Sequence, residues 1–367
     1  MNPPARLPAM PPEVARLVQA VQTNCHIADA RHAADLTLCT YLLQMREFYR
    51  WEQGLPLGAS LPREAIGTWI AEREALWQDL EEAELLTLPA SGFHHGLDPF
   101  DVASVNRSLQ PHGLVYGAGL VGRDRPVFFV AQALSHGERN GLQVLNLGRE
   151  WARCLVAPPA VQAWVDDQPT VLLRREALAR WCWEKFETFS LRPHEGTAMH
   201  AVVLAYGLDR GFEQALPRWL DEQAEVMLLH EIGERKAGDW LGSGWDVMRL
   251  DLTSRRADLF ARALRDHLAD LETTLPTLLA RDAQASLHTW FANFDGLREQ
   301  LFPGLKRAYL AWHQGDGGAA LREACGVGLG HFRALCRRAL DLHAEMGPDA
   351  SGAIEALWQG QAAVCRG

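Results

Sequence analysis

Apolar residues recur at helical spacing over most of this 367-residue chain, and that period limits the possible folds more than any other feature. One such stretch runs from Pro12 to Gly54, with a break near Asn24. Pro62 opens a second, Glu64 to Leu88, which carries Trp69 and Trp77. A loop over Gly92–Gly96 leads to a short helix ending at Leu109, for which Asp98 is the expected cap and Pro99 the first helical residue. From Arg149 onward helical stretches follow one another: Arg174–Phe189, Gly196–Tyr206, Leu216–Lys236, Ser254–Leu271, Leu275–Phe294, Pro303–His313 and Ala319–Glu345. Between these blocks the pattern changes. Leu114–Val121, Pro126–Leu134 and Leu142–Leu147 are short runs rich in Val, Phe and Leu, the last two joined through Asn140-Gly141, so they predict three antiparallel strands. The expected fold is therefore mainly α, a multi-helix body with a small antiparallel β-meander insertion. Its parts are an N-terminal helical unit (12–110), the meander (111–148), a main helical domain (149–346) and a C-terminal tail or short helix (347–367).

Composition excludes several functions. With 36 Lys and Arg against 46 Asp and Glu, the net charge is −10 and no basic run is present, which argues against a nucleic-acid partner. No stretch reaches the eighteen or so apolar residues that a membrane helix needs, and the proline-rich N-terminus does not read as a signal peptide. Seven cysteines without a C-x-x-C pair form neither a disulfide framework nor a thiolate zinc site, so a reducing cytoplasm is the expected location.

Two motifs look like chemistry but carry little of it. Gly117-Ala-Gly119-Leu-Val-Gly122 satisfies the dinucleotide pattern, yet a turn and a strand are expected after it where the phosphate site needs a helix N-terminus. These glycines are read as letting a strand approach its neighbours. His94-His95 lies in a loop with no carboxylate at ligand spacing, and is read as a solvated pair.

Three polar stripes remain. At about 100° per residue, Cys25, Asp29, His32, Leu36, Cys39, Leu43, Glu47 and Arg50 share one line, apart from the apolar face of Leu38, Leu42, Met45 and Tyr49. Asp29, His32 and Glu47 are candidates for proton transfer or ligand orientation; the competing and preferred reading is a buried network of Asp29 with His32 and of Glu47 with Arg50. The second stripe is His230-Glu231-Ile-Gly-Glu234, set among Val226, Leu228, Leu229 and Ile232. It resembles the zinc-protease text H-E-x-x-H, with Glu in place of the second His and Trp240 where a third ligand belongs, which disfavours that chemistry. The third is Arg262, Asp266 and Asp270 at i, i+4 spacing, with Arg262 placed to neutralise Asp266.

Asn24-Cys25-His26-Ile-Ala-Asp29-Ala, Arg46-Glu47-Phe48-Tyr49-Arg50-Trp51-Glu52, His230-Glu231-Ile-Gly-Glu234, Asp266-His-Leu-Ala-Asp270 and Leu301-Phe302-Pro303 together resemble an uncharacterised family of bacterial proteins described only as domains of unknown function. The resemblance spans about residues 20 to 315. It implies one architecture of set length and transfers no activity, cofactor or catalytic residue.

The functional expectation therefore rests on spacing. His230, Glu231, Glu234, Asp266 and Asp270 are rich in carboxylate and poor in sulfur, a set suited to a divalent metal, iron or manganese ahead of zinc. With Asp29, His32 and Glu47 assisting, such a centre would act on a small molecule as an oxidoreductase or hydrolase. The alternative is a non-catalytic scaffold or interaction protein whose acid, His and Arg networks are structural.

Overall fold

The computed structural model describes residues 10–90, 93–122, 124–165 and 168–364, with backbone alone at 90, 93–95 and 361–364. The chain divides into two compact units, residues 1–185 and 186–367.

The first unit opens with three helices, α1 (Pro12–His32), α2 (Leu38–Glu52) and α3 (Arg63–Leu80). A two-stranded ribbon of β1 (Leu88–Ala90) and β2 (Phe93–Leu97) and the short helix α4 (Val102–Leu109) follow. Then come β3 (Leu114–Val121), β4 (Arg125–Arg139), β5 (Leu142–Arg153), β6 (Ala160–Val165) and β7 (Gln168–Arg174). These last five form one sheet in the order β3-β4-β5-β7-β6. Every pair is antiparallel except β5 with β7, whose residues 143–147 run parallel to 170–174.

This sheet overturns the expectation of a helical body with a small meander insertion. The meander is only its first three strands, and β6 and β7 lie in the stretch read as helical. The reason is physical. Val171, Leu172 and Leu173 make a short apolar run, and a run of that length carries no period that separates a buried strand from the start of a buried helix. Its parallel pairing to β5 is non-local and leaves no sequence signal at all.

Helix α1 covers one face of the sheet. Val14, Leu17, Val18, Val21, Cys25 and Ala28 pack with Tyr116, Phe128, Val130 and Ala152, as the i, i+3, i+4 spacing requires. Two asparagines tie in the connecting segments. Asn24 both accepts from and donates to the backbone of Leu86, and Asn106 does the same with Tyr116. The hairpin between β4 and β5 turns at Asn140 and Gly141, both left-handed at φ 52° and 74°, as that dipeptide predicts. The expected cap is displaced by three residues: Asp101, not Asp98, accepts the Ser104 N–H at the start of α4, while Asp98 binds the Phe100 N–H in the preceding turn. Gly117 is needed because a Cβ there would stand 2.3 Å from the Phe129 ring, and strand β4 follows β3 where a dinucleotide site needs a helix.

Helix α5 (Arg175–Leu191) spans the division, and the second unit is otherwise helical. It comprises α6 (Ala198–Tyr206), α7 (Phe212–Leu241), α8 (Ser243–Asp251), α9 (Arg255–Ala269), α10 (Leu275–Ala280), α11 (Gln284–Ala292), α12 (Gly296–Leu301), α13 (Pro303–His313), α14 (Ala319–Met346) and α15 (Ser351–Val364). Its core is built from Trp245, Phe260, Leu264, Leu268, Leu275, Leu305, Phe332 and Cys336. Helices α7 and α9 approach closely at Gly233, where a Cβ would lie 2.5 Å from the Ala269 carbonyl oxygen. Just beyond that contact, residues Asp270–Thr274 form a π-turn between α9 and α10.

Candidate metal centre

The close approach at Gly233 brings the polar stripes of α7 and α9 together. His230 and Glu234 lie one turn apart on α7, and Asp266 and Asp270 one turn apart at the end of α9. One ligand atom each from His230, Glu234 and Asp266 lies within 4.8 Å of the others. Asp270 has a different task. Its carboxylate is almost fully buried, takes His230 Nδ1 at 2.9 Å on Oδ1 and accepts from Arg298 Nη1 at 2.9 Å on Oδ2. With Nδ1–H donated to Asp270, His230 turns Nε2 toward Glu234, whose Oε1 is 3.9 Å away. The other Glu234 oxygen meets Arg265 Nη2 at 3.3 Å. The side chains of His230 and Glu234 are 26% and 23% exposed, so the group opens to solvent on one side.

The electrostatics follow from this geometry. Burial pulls the His230 imidazole down, but Asp270, Asp266 and Glu234 outweigh it and raise it to about 10. Burial pushes Asp270 up, and the His230 and Arg298 charges bring it down to about 2. Asp266 makes no ion pair with arginine among the described residues, and burial raises it to about 6. The expected partner, Arg262, instead binds Asp258 at 3.0 Å on its own helix. Asp266 is thus the carboxylate left for a cation or a proton.

Of the five residues proposed from spacing, three converge, Asp270 orients the histidine, and Glu231 is not among those whose ligand atoms meet. His267, beside them in sequence, is buried with its ring stacked 4.0 Å from Phe332, and burial holds it neutral at about 3. Sequence reasoning missed Arg298, Arg265 and Gly233. Only Gly233, in the middle of an otherwise strong helix, carries a local signal, since a glycine there costs about 1 kcal/mol without a packing reason.

Asp29, His32 and Glu47 belong to the first unit and do not form one group. Asp29 is buried and accepts the Leu155 N–H at 2.8 Å; burial raises its carboxyl to about 8. His32 meets Asp35 at 3.2 Å in place of the expected Asp29, because the chain leaves the α1 helix after His32, and Glu47 pairs with Arg50 at 3.1 Å as the spacing predicts. The larger ionic cluster of this unit centres on Glu150, which takes Arg174 at 2.7 Å and Arg180 at 3.3 Å, with Arg153 at 4.0 Å. The side chains of His94 and His95 lie outside the described residues.

Fold and site together define a two-part protein: a mixed-sheet α/β unit followed by a helical unit that carries a half-open histidine and carboxylate centre. The N-terminal domain of the family of unknown function DUF6866 matches residues 16–172, and the C-terminal domain of the same family matches residues 179–361. The chain belongs to this family. No curated protein and no solved structure matches it. No described helix is long and apolar enough to cross a membrane.

Proposed function

We propose that the helical unit binds a divalent cation through His230 Nε2 and the carboxylates of Glu234 and Asp266, and that the coordination positions left open serve hydrolysis or oxidation of a small molecule. One observation carries the reading: the histidine is held by a buried carboxylate at Nδ1 while its other nitrogen lies 3.9 Å from Glu234, in a group that also brings in Asp266. Metal-binding histidines are oriented in this way, because the bond at one nitrogen sets the tautomer and raises the basicity of the other. One nitrogen and two oxygen donors suit Mn²⁺ or Fe²⁺ better than a thiophilic ion, with Zn²⁺ next. Three protein ligands leave room for water and substrate, the condition for a catalytic site.

The test is direct. Chelator-treated protein is titrated with Mn²⁺, Fe²⁺ and Zn²⁺ while its thermal midpoint and heat of binding are recorded. A cation at a hundred times its Kd adds about 2.7 kcal/mol of stability. Wild type gains that stability and Asp266→Asn does not. If no cation stabilises wild type, the centre is metal-free.

A second reading has its own support. Arg298 and Arg265 already hold two of the acids, and His230 as an imidazolium neutralises the rest. In that case the group is an ion network fixing α7 against α9, and the same titration yields no gain.

A further inference from the structure

A second polar site lies elsewhere in the helical unit. A cavity of about 360 Å³ opens between the α10–α11 turn, the end of α13 and the start of α14, lined by Leu287, His288, Trp312, His313 and Arg322 among others. That volume falls in the lower part of the range for small-molecule pockets, roughly 300–1,000 Å³.

His288 is the central group. It is buried, and its Nδ1 stands 2.9 Å from the hydroxyl of Tyr309, a residue outside the cavity lining. The ring is fixed further by Trp312 at 5.1 Å and His313 at 5.2 Å between centroids. Nε2 has no hydrogen-bond partner among the described residues, and the side chain that carries it lines the cavity. Burial and the neighbouring His313 lower His288 to about 4, which leaves a neutral imidazole at pH 7. A ring nitrogen fixed in orientation and left unpaired can bond water or a ligand that enters.

The rest of the wall identifies the ligand chemistry. Arg322 uses Nη2 on the Gly317 carbonyl and keeps its remaining donors unpaired among the described residues. The acid at the rim, Asp282, takes the Gln284 amide on both oxygens. Asp282 itself is held at φ +49°, and the facing loop is left-handed at Gly315, Gly317 and Gly318. Such turns hold a backbone in a shape that ordinary residues resist. Leu287 and Trp312 give the lining its apolar part.

We infer that this cavity binds a small organic anion, a carboxylate or phosphate monoester, with its charge on Arg322, a polar group on His288 Nε2 and its hydrocarbon body against Leu287 and Trp312. The cavity lining shares no residue with the cation centre.

The experiment uses the full chain in EDTA, labelled with ¹⁵N-histidine, titrated separately with phenyl phosphate, benzoate and benzylamine. Saturable movement of the His288 Nε2 resonance is expected with at least one anion and none with benzylamine. Comparing the two anions separates phosphate from carboxylate recognition. Arg322 is exposed, so Arg322→Gln keeps the fold and is expected to weaken binding at least tenfold, while His230→Ala leaves it unchanged. The inference is overturned if neither anion binds saturably, if benzylamine binds as tightly, or if Arg322→Gln binds like wild type. Because EDTA and His230→Ala remove the cation centre, failure here and failure of the metal reading give different results.

Discussion

His230 Nδ1 stands 2.9 Å from Asp270 Oδ1, and Arg298 closes the other side of the same carboxylate at 2.9 Å. The pairing joins α7 to the π-turn after α9, and it determines which imidazole nitrogen faces the open side. Removal of Asp270 therefore acts on both orientation and charge. Asp270→Ala is expected to weaken Mn²⁺ binding about 10- to 100-fold by calorimetry. It is also expected to lower stability by about 3 kcal/mol in urea, since two cationic groups lose their buried partner. An unchanged Kd would show that Asp270 does not orient the ligand.

Gly233 sets how closely α7 and α9 approach. A methyl group there meets backbone, not a movable side chain, so Gly233→Ala forces the helices apart. The expected cost is about 1–3 kcal/mol, the range for overpacked cores, and cation affinity falls with it. Wild-type stability and affinity in this variant would contradict the close contact.

Asp29 makes the first unit sensitive to pH in a defined direction. Its folded carboxyl is raised to about 8, against 3.8 for the free group, so the folded form keeps a proton that the unfolded chain releases. The contribution is fully present below about pH 4 and is lost as pH rises through about 8. Urea midpoints measured from pH 5 to 8 are expected to fall with pH more steeply in wild type than in Asp29→Asn. Equal slopes would place the titration elsewhere.

Glu150 holds three buried guanidinium groups around one carboxylate. Glu150→Gln leaves Arg174 and Arg180 without their anion in a dry environment, and the expected loss is about 3–5 kcal/mol of unfolding free energy. Chemical denaturation reads this, and a loss below about 1 kcal/mol would mean that solvent reaches the cluster.

Legibility in the sequence followed the range of the interaction. Local signals translate well: the Asn140-Gly141 turn, the apolar stripe of α1 and the Glu47–Arg50 pair on α2 are all in the structure. Arg262 shows where short spacing misleads. Asp258 and Asp266 lie four residues to either side of it, and spacing alone favoured the wrong one. The strands β6 and β7 were hidden because a short buried apolar run has no distinguishing period.

By itself the sequence determined the helical character of the second unit, the first three strands and the candidate ligand types, since period and residue chemistry are local properties. Only the tertiary structure decided that His230, Glu234 and Asp266 converge, that Asp270 is taken by Arg298, and that β7 joins β5 in parallel. Those outcomes depend on which distant segments pack together. A bare glycine surface at Gly233 and an arginine 28 residues beyond Asp270 settle the first two through steric fit and charge neutralisation, and neither leaves a period in the chain.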